Sequence, residues 1–281
     1  MKIKLVVDSA TDLSRAWLAE HDIAVVPAFV NFGNESFPDD GISITNETFY
    51  KRLATSPIPP TTSAPSPGVA QEIFKRALED ADHVIAITTA AQLSGIYTAM
   101  RLAAQLVDSE RITVYDSGTL TMNIGFQVQA AEAARAAGAA VDGIIAAVRE
   151  ARTRGYVWGM PGSLEYLRRS GRVSRIISGI GTLLQIRPII SVREGEVSSS
   201  QRARTESKAL SLMAENARAL APLEKVAILH AHYPKGAELL MKLMSDILPA
   251  HPANIYTVDI APAIGVHFGP ESVGLAVLRQ A

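Results

Sequence analysis

Cysteine is absent from this 281-residue chain, which removes disulfides, thiolate metal sites and a thiol nucleophile together. Neither sign of charge is in surplus: 27 Lys and Arg stand against 28 Asp and Glu, a net charge of −1. A nucleic-acid-binding chain normally carries a basic excess, so that class of partner is set aside. Long hydrophobic runs are missing too. The longest uncharged apolar stretches, such as Ile176 to Ile186, are too short to span a bilayer, and no stable membrane insertion is expected. Lys2 and Lys4 interrupt the N-terminus before any signal-peptide core could form, so the expected location is cytoplasmic. No P-loop, no Gly-x-Gly-x-x-Gly stretch and no Gly-x-Ser-x-Gly elbow occurs, leaving nucleotide binding and serine hydrolysis without a motif.

What is present is hydrophobic residues, 48% of the chain, enough for a sizeable core in one large or two ordinary domains. Three segments in the first half repeat one theme. Lys4 to Val7 runs into Asp8-Ser9-Ala10-Thr11, Val84 to Ile87 into Thr88-Thr89, and Ile112 to Tyr115 into Asp116-Ser117-Gly118-Thr119. Each is a brief apolar strand ending in small polar residues, followed by helical periodicity. That alternation predicts a parallel, Rossmann-like sheet with helices on its faces. Helices are expected from about Gly68 to Glu79, from Ser94, from Met122 to Ala137 and from Ile144 to Arg154. Residues 31–60 read as a long polar, lid-like insertion, with a turn at Pro38-Asp39-Asp40-Gly41 and one short helix near Glu47 to Leu53. The second half predicts a hairpin over Pro188 to Gln201, helices at Glu206–Leu220 and Ala237–Leu248, and strands at Val226–His230, Ile255–Ile260 and Val273–Leu278. The fold class is therefore α/β: a parallel-sheet domain over residues 1–150, then an α+β domain with a mixed or antiparallel sheet over 151–281.

Several constellations could carry chemistry. Ser94 sits in a hydroxyl-rich bend beyond an apolar strand, where parallel sheets bind ligands, and could hold a small anion or simply cap its helix. Thr61-Thr62-Ser63 offers three hydroxyls before a Pro-fixed helix start at Ser66-Pro67, able to donate to an oxyanion or to serve turn chemistry. Arg168, Arg169, Arg172 and Arg175 fall within eight residues, an anion clamp or a solvated helix end. His267 stands in the Gly- and Pro-bounded segment Gly265 to Pro270, expected as a bend between strands. His230-Ala231-His232 has strand spacing but no supporting third ligand, so no metal site is expected.

The order of these signals resembles the DegV family. Asp8-Ser9-Ala10-Thr11-Asp12-Leu13 is similar to its opening, and Asp40 to Tyr50 to its lid region. Thr62-Ser63-Ala64-Pro65-Ser66 resembles its Thr-Ser-Gln-Pro-Ser motif, and Leu93-Ser94-Gly95-Ile96-Tyr97 its Leu-Ser-Gly-Thr-Tyr motif. Asp116-Ser117 follows, then Ser170-Gly171-Arg172-Val173-Ser174, similar to Gly-Gly-Arg-Ile-Ser, and finally His267-Phe268-Gly269-Pro270. Ala64, Ile96, Ser170 and Glu271 depart from the family pattern. The resemblance implies two α/β domains with a fatty acid such as palmitate or oleate buried between them, and no other cofactor. It implies that Thr62 and Ser94 hold the carboxylate by hydroxyl hydrogen bonds, with Ser63, Gly95, Ser117, Arg172 and His267 around the head group. It also implies a carrier rather than an enzyme, one that presents its fatty acid to a separate FakA-like kinase for acyl-phosphate formation in lipid metabolism.

Magnitudes favour a lipid over a small acid. A hydrogen bond to a charged group contributes roughly 1.5–3 kcal/mol, so two hydroxyls cannot bind tightly alone. A buried acyl chain contributes about 0.8 kcal/mol per methylene, on the order of 10 kcal/mol gross. The tail would supply affinity and the hydroxyls orientation. The alternative is an enzyme acting on a small acyl or phosphorylated substrate, using His267 as acid–base and Arg172 as clamp.

Overall fold

The computed structural model describes residues 1–170 and 186–281. The chain opens with β1 (Ile3–Asp8), α1 (Arg15–Glu20), β2 (Ala24–Val26), β3 (Phe29–Phe32), β4 (Glu35–Pro38), α2 (Asn46–Thr55), β5 (Thr61–Ser63) and α3 (Pro67–Glu79). It continues through β6 (His83–Thr88), α4 (Ile96–Val107), β7 (Ile112–Asp116), α5 (Met122–Ala136) and α6 (Val141–Arg154). Then come β8 (Gly155–Met160), α7 (Leu164–Arg169), β9 (Arg187–Arg193), β10 (Glu196–Ala203), α8 (Glu206–Arg218) and β11 (Leu223–His230). The last elements are α9 (Pro234–Leu243), β12 (Ile255–Asp259), α10 (Pro262–Phe268) and β13 (Val273–Arg279).

The α/β class read from the sequence is observed. β2, β1, β6 and β7 form an all-parallel sheet in that order. β1 and β6 are buried on both faces, which is why each reads as a near-continuous apolar run rather than an alternating one. The second sheet runs β10-β9-β8-β13-β11-β12 and is mixed: every pair is antiparallel except β11 with β12. Its β9–β10 hairpin turns at Glu194 and Gly195, both at positive φ (52° and 77°), the backbone a tight hairpin turn demands.

α5 joins the two sheets. Its whole first half, Met122 to Val128, is buried, because it packs against β1 and β6 on one side and β8 and β13 on the other. Asn123 and Gln127 are buried there along with the apolar residues, so this half of the helix has no solvent face. One continuous core consequently holds Leu5, Val7 and Ile87 from the first sheet together with Leu229, Ala276 and Leu278 from the second.

Four local expectations are corrected. Residues 31–60 are less irregular than their polar composition suggests, because β3, β4 and β5 form a third, antiparallel sheet. Gly33, at φ 61°, closes the β3–β4 turn, and Phe32 packs edge-on against Phe37 with the Arg52 guanidinium 4.2 Å above the Phe32 ring. Strands of three or four residues are too short to show alternation, and β4 and β5 carry few apolar positions. The helix expected to open at Ser94 opens at Ile96, with Gly95 in the capping position. His267 lies on a helix, α10, rather than in a bend: Pro262 fixes its first φ and Gly269 (φ 76°) ends it. Seven residues are too few for helical periodicity to declare itself. Finally, β11 ends at His230, and His232 lies beyond it at φ 50°, so the two rings do not share a strand face.

Candidate functional site

Three elements converge at the C-terminal edge of the parallel sheet. β5 pairs with β3 in a register that sets Thr62 opposite Val30 and so holds the hydroxyl pair Thr62 and Ser63 on an ordered strand. The bend between β6 and α4 brings Thr89, Leu93, Ser94 and Gly95. α10 supplies Ile264, His267 and Phe268. All of them border one cavity, of about 130 Å³.

The polar groups gather at one end. The Thr62 hydroxyl and His267 Nε2 are 3.0 Å apart, a hydrogen bond between residues 205 positions distant in the chain. Both side chains are half-buried. The Ser94 hydroxyl accepts the N–H of Ile96 at 3.2 Å, and Ser63 accepts from Asn31 Nδ2 at 3.3 Å. Behind them Asp8 secures the bend. Its fully buried carboxylate accepts from the N–H (2.5 Å) and hydroxyl (3.1 Å) of Thr89 and from the Ala10 N–H (2.9 Å). Burial pushes the Asp8 carboxyl above its ordinary range, and those three bonds oppose the shift.

Away from that end the walls become apolar. A second, smaller cavity, of about 30 Å³, is bordered by Val157, Trp158 and Gly159 of β8 and Leu229 of β11. Leu120, Ile190, Val192, Ile264 and Phe268 border both spaces, which therefore adjoin across this apolar neck of side chains. A space with hydroxyls and an imidazole at one end and hydrocarbon at the other suits an amphiphile with one small polar head.

The expected head-group residues fare differently. Thr62, Ser63, Ser94, Gly95 and His267 are brought together around the first cavity. Ser117 is not among its lining residues; it is buried in the turn after β7, where its hydroxyl donates to the Thr119 carbonyl (3.3 Å) and accepts the Thr119 N–H (3.2 Å). Arg172, with Arg175 and the rest of the motif after Ser170, lies outside the described residues. Arg168 and Arg169 are exposed, and both pair with Glu165 (2.6 and 2.7 Å), the solvated helix end that composition allowed. Glu271 is exposed and borders neither cavity. His230 Nδ1 lies 3.4 Å from Asp259 Oδ1, and no group of three or more potential ligands is arranged for a metal ion among the described residues. Among those residues, too, no helix is long and apolar enough to cross a membrane.

Sequence reasoning overlooked Thr89, Leu120, Ile190, Val192, Ile264 and Phe268, all of them walls of the cavity. Thr89 had a signal, as a hydroxyl at the end of a parallel strand. The aliphatic walls had none, since a cavity-lining Ile and a core Ile look alike in sequence.

Comparison with known proteins agrees with this geometry. The model of the DegV family of uncharacterised proteins matches residues 2–280. A DegV domain-containing protein of Deinococcus radiodurans is 32% identical over 281 residues, covering 99% of this chain and 98% of the relative. Among solved structures, a DegV family protein from Thermus thermophilus described for its fatty acid binding superposes with a TM-score of 0.90 at 28% identity, covering 100% of both chains. DegV from Bacillus subtilis, described as a fatty acid binding protein, does so with a TM-score of 0.86 at 25% identity, again over 100% of both. With a family model matching residues 2–280 and a solved relative of the same fold, this protein belongs to the DegV family.

Proposed function

We propose that this protein binds a long-chain fatty acid, with its carboxylate at Thr62 and Ser94 and its tail running past the shared neck into the apolar cavity. The observation that carries this reading is the polarity gradient across the adjoining spaces: Thr62, Ser94 and His267 at one end, and Val157, Trp158 and Leu229 at the other. The fatty acid binding of the Thermus thermophilus and Bacillus subtilis relatives supports it. On this reading residues 1–150 and 151–281 act as two domains with the ligand in the cleft between them. Uncharged hydroxyl donors suit a head group that must later react, because they hold a carboxylate less firmly than a buried ion pair would. The protein then serves as a carrier, presenting the carboxylate to a separate fatty acid kinase of the FakA type, and catalyses nothing alone.

Mass spectrometry of organic extracts from gently purified protein tests the proposal. A near-stoichiometric fatty acid is the expected result and reports the chain preference directly. Protein that is free of lipid and takes up neither palmitate nor oleate overturns it. Addition of a FakA-type kinase and ATP should yield acyl-phosphate only when the loaded carrier is present; turnover by the isolated protein would point instead to an enzyme built on His267.

A further inference from the structure

Two acidic residues border neither cavity: Asp12, beyond β1, and Asp39, beyond β4. Their carboxylates converge on the segment that leads into α10. The Ala261 N–H donates to Asp12 Oδ1 at 2.8 Å, and the Ala263 N–H donates to Asp39 Oδ2 at 3.3 Å. Two neighbours tighten the same segment. Asn46 Nδ2 donates to the carbonyls of Asp259 (2.8 Å) and Ile260 (3.2 Å), and the Tyr50 hydroxyl donates to the Ile260 carbonyl (3.2 Å). Every gripping residue comes from the first 50 positions, and every gripped group from the five residues 259–263. About one helical turn beyond Ala263 stands His267, in contact with Thr62. A helix this short takes its direction from how its entry is held, because its opening N–H groups have no partners within the helix.

We propose that Asp12 and Asp39 are positioning residues for the head-group end: they clamp the entry to α10 so that His267 is held against Thr62, and the clamp's grip follows their protonation. The link to ligand retention rests on the fatty-acid reading; the clamp itself does not.

The environment supplies the proton dependence. Asp39 is 5% exposed, and Asp12 Oδ2 is buried with no hydrogen-bond partner. Asp12 faces the carboxylates of Asp39, Asp259 and Asp8; Asp39 faces Asp8, with Arg15 from α1 opposing. Tyr50 from α2 faces the same carboxylates, and Asp259 is held down by His230 and the His232 N–H. Burial first, and then these like charges, push Asp12 up to about 8; burial, with Asp8 adding, pushes Asp39 up to about 7. In the clamped form, then, a proton resides on this pair at neutral pH, and one oxygen of each carboxyl still accepts its N–H. As pH rises through 7 to 8 the pair ionises beside Asp8 and Asp259, and opening to water relieves both desolvation and repulsion. Clamping takes up protons, so rising pH favours release.

Two measurements from pH 6 to 9 on the full chain test this: hydrogen exchange of the amides of residues 261–268, corrected for intrinsic rates, and dissociation of a fluorescent fatty acid. In the unaltered protein, protection should fall and the off-rate rise by tenfold or more across this range, because one proton bound only in the clamped form shifts the balance about tenfold per pH unit. Asp12→Asn with Asp39→Asn keeps the shape and the acceptor oxygens while staying neutral, and should hold both profiles flat. Flat profiles in the unaltered protein, or parallel profiles in the Asn variant, would overturn the proposal. Should the protein take up no fatty acid, the exchange data alone decide the clamp, and the two failures remain distinct.

Discussion

Removing one hydroxyl at the head-group end gives the sharpest test of how the cavity reads a carboxylate. Thr62→Val keeps the β-branched shape on β5, where Thr62 stands opposite Val30, and removes only the oxygen that lies 3.0 Å from His267 Nε2. In the unliganded protein the loss is one half-buried hydrogen bond, about 1 kcal/mol of stability. On the proposed reading the same hydroxyl faces a charged carboxylate in the complex, and its removal should cost roughly 1.5–3 kcal/mol, which is about 10- to 150-fold in affinity. The tail contacts at Trp158, Ile190 and Phe268 are untouched, so affinity for a fatty-acid methyl ester should change little. Displacement of a fluorescent fatty acid by oleate and by methyl oleate reads both numbers, and a thermal melt confirms the fold. Oleate affinity within about threefold of the unaltered protein, in a variant that melts normally, would refute the placement of the carboxylate at Thr62. An equal loss for acid and ester would instead mean that the substitution had disturbed the cavity rather than the head-group contact.

Further outcomes follow from the same packing. Asp8→Ala strips the acceptor from three donors, Ala10 N–H, Thr89 N–H and the Thr89 hydroxyl, and should lower unfolding stability by about 3 kcal/mol or more in urea titration; a loss below 1 kcal/mol would contradict the role given to that carboxylate. A Cβ at Gly159 would stand 2.7 Å from Phe268 Cε1, so Gly159→Ala should push the ring into the neck and shift the bound acyl chains toward shorter lengths in lipid extracts, an unchanged distribution being the adverse result. The folded-state pKa values of about 8 for Asp12 and about 7 for Asp39 lie above their ordinary value of 3.8. Their contribution to stability is therefore fully present below about pH 4 and is lost as pH rises through 7 to 8. The urea midpoint should accordingly fall between pH 5.5 and 8.5 by more in the unaltered protein than in Asp12→Asn/Asp39→Asn.

Much of the frame was legible in the sequence for reasons that are local. β1 and β6 announce themselves as continuous apolar runs because both of their faces are buried, and α3 begins at Pro67 because proline suits the first helical position. Thr62, Ser94 and His267 were legible as hydroxyls and an imidazole beside turns, and their collinear order carried the family resemblance. The three-stranded sheet of β3, β4 and β5 was not legible, since strands of three or four residues owe their existence to pairing partners up to 34 positions away.

The sequence by itself determined the parallel sheet, the hairpin of β9 and β10, the helix starts and the chemistry available at the head-group end, because those depend on neighbours within about four residues or on residue type alone. Tertiary structure decided which of those groups meet: that His267 lies on a helix touching Thr62, that Ser117 is turned into its own loop, and that Ile190 and Phe268 line a cavity instead of filling the core. It also decided that the carboxylates of Asp12 and Asp39 close on the entry to α10. The contacts of His267, Asp12 and Asp39 join residues more than 200 positions apart, where α10 packs against α2, α7, β3 and β5, and no local pattern encodes them.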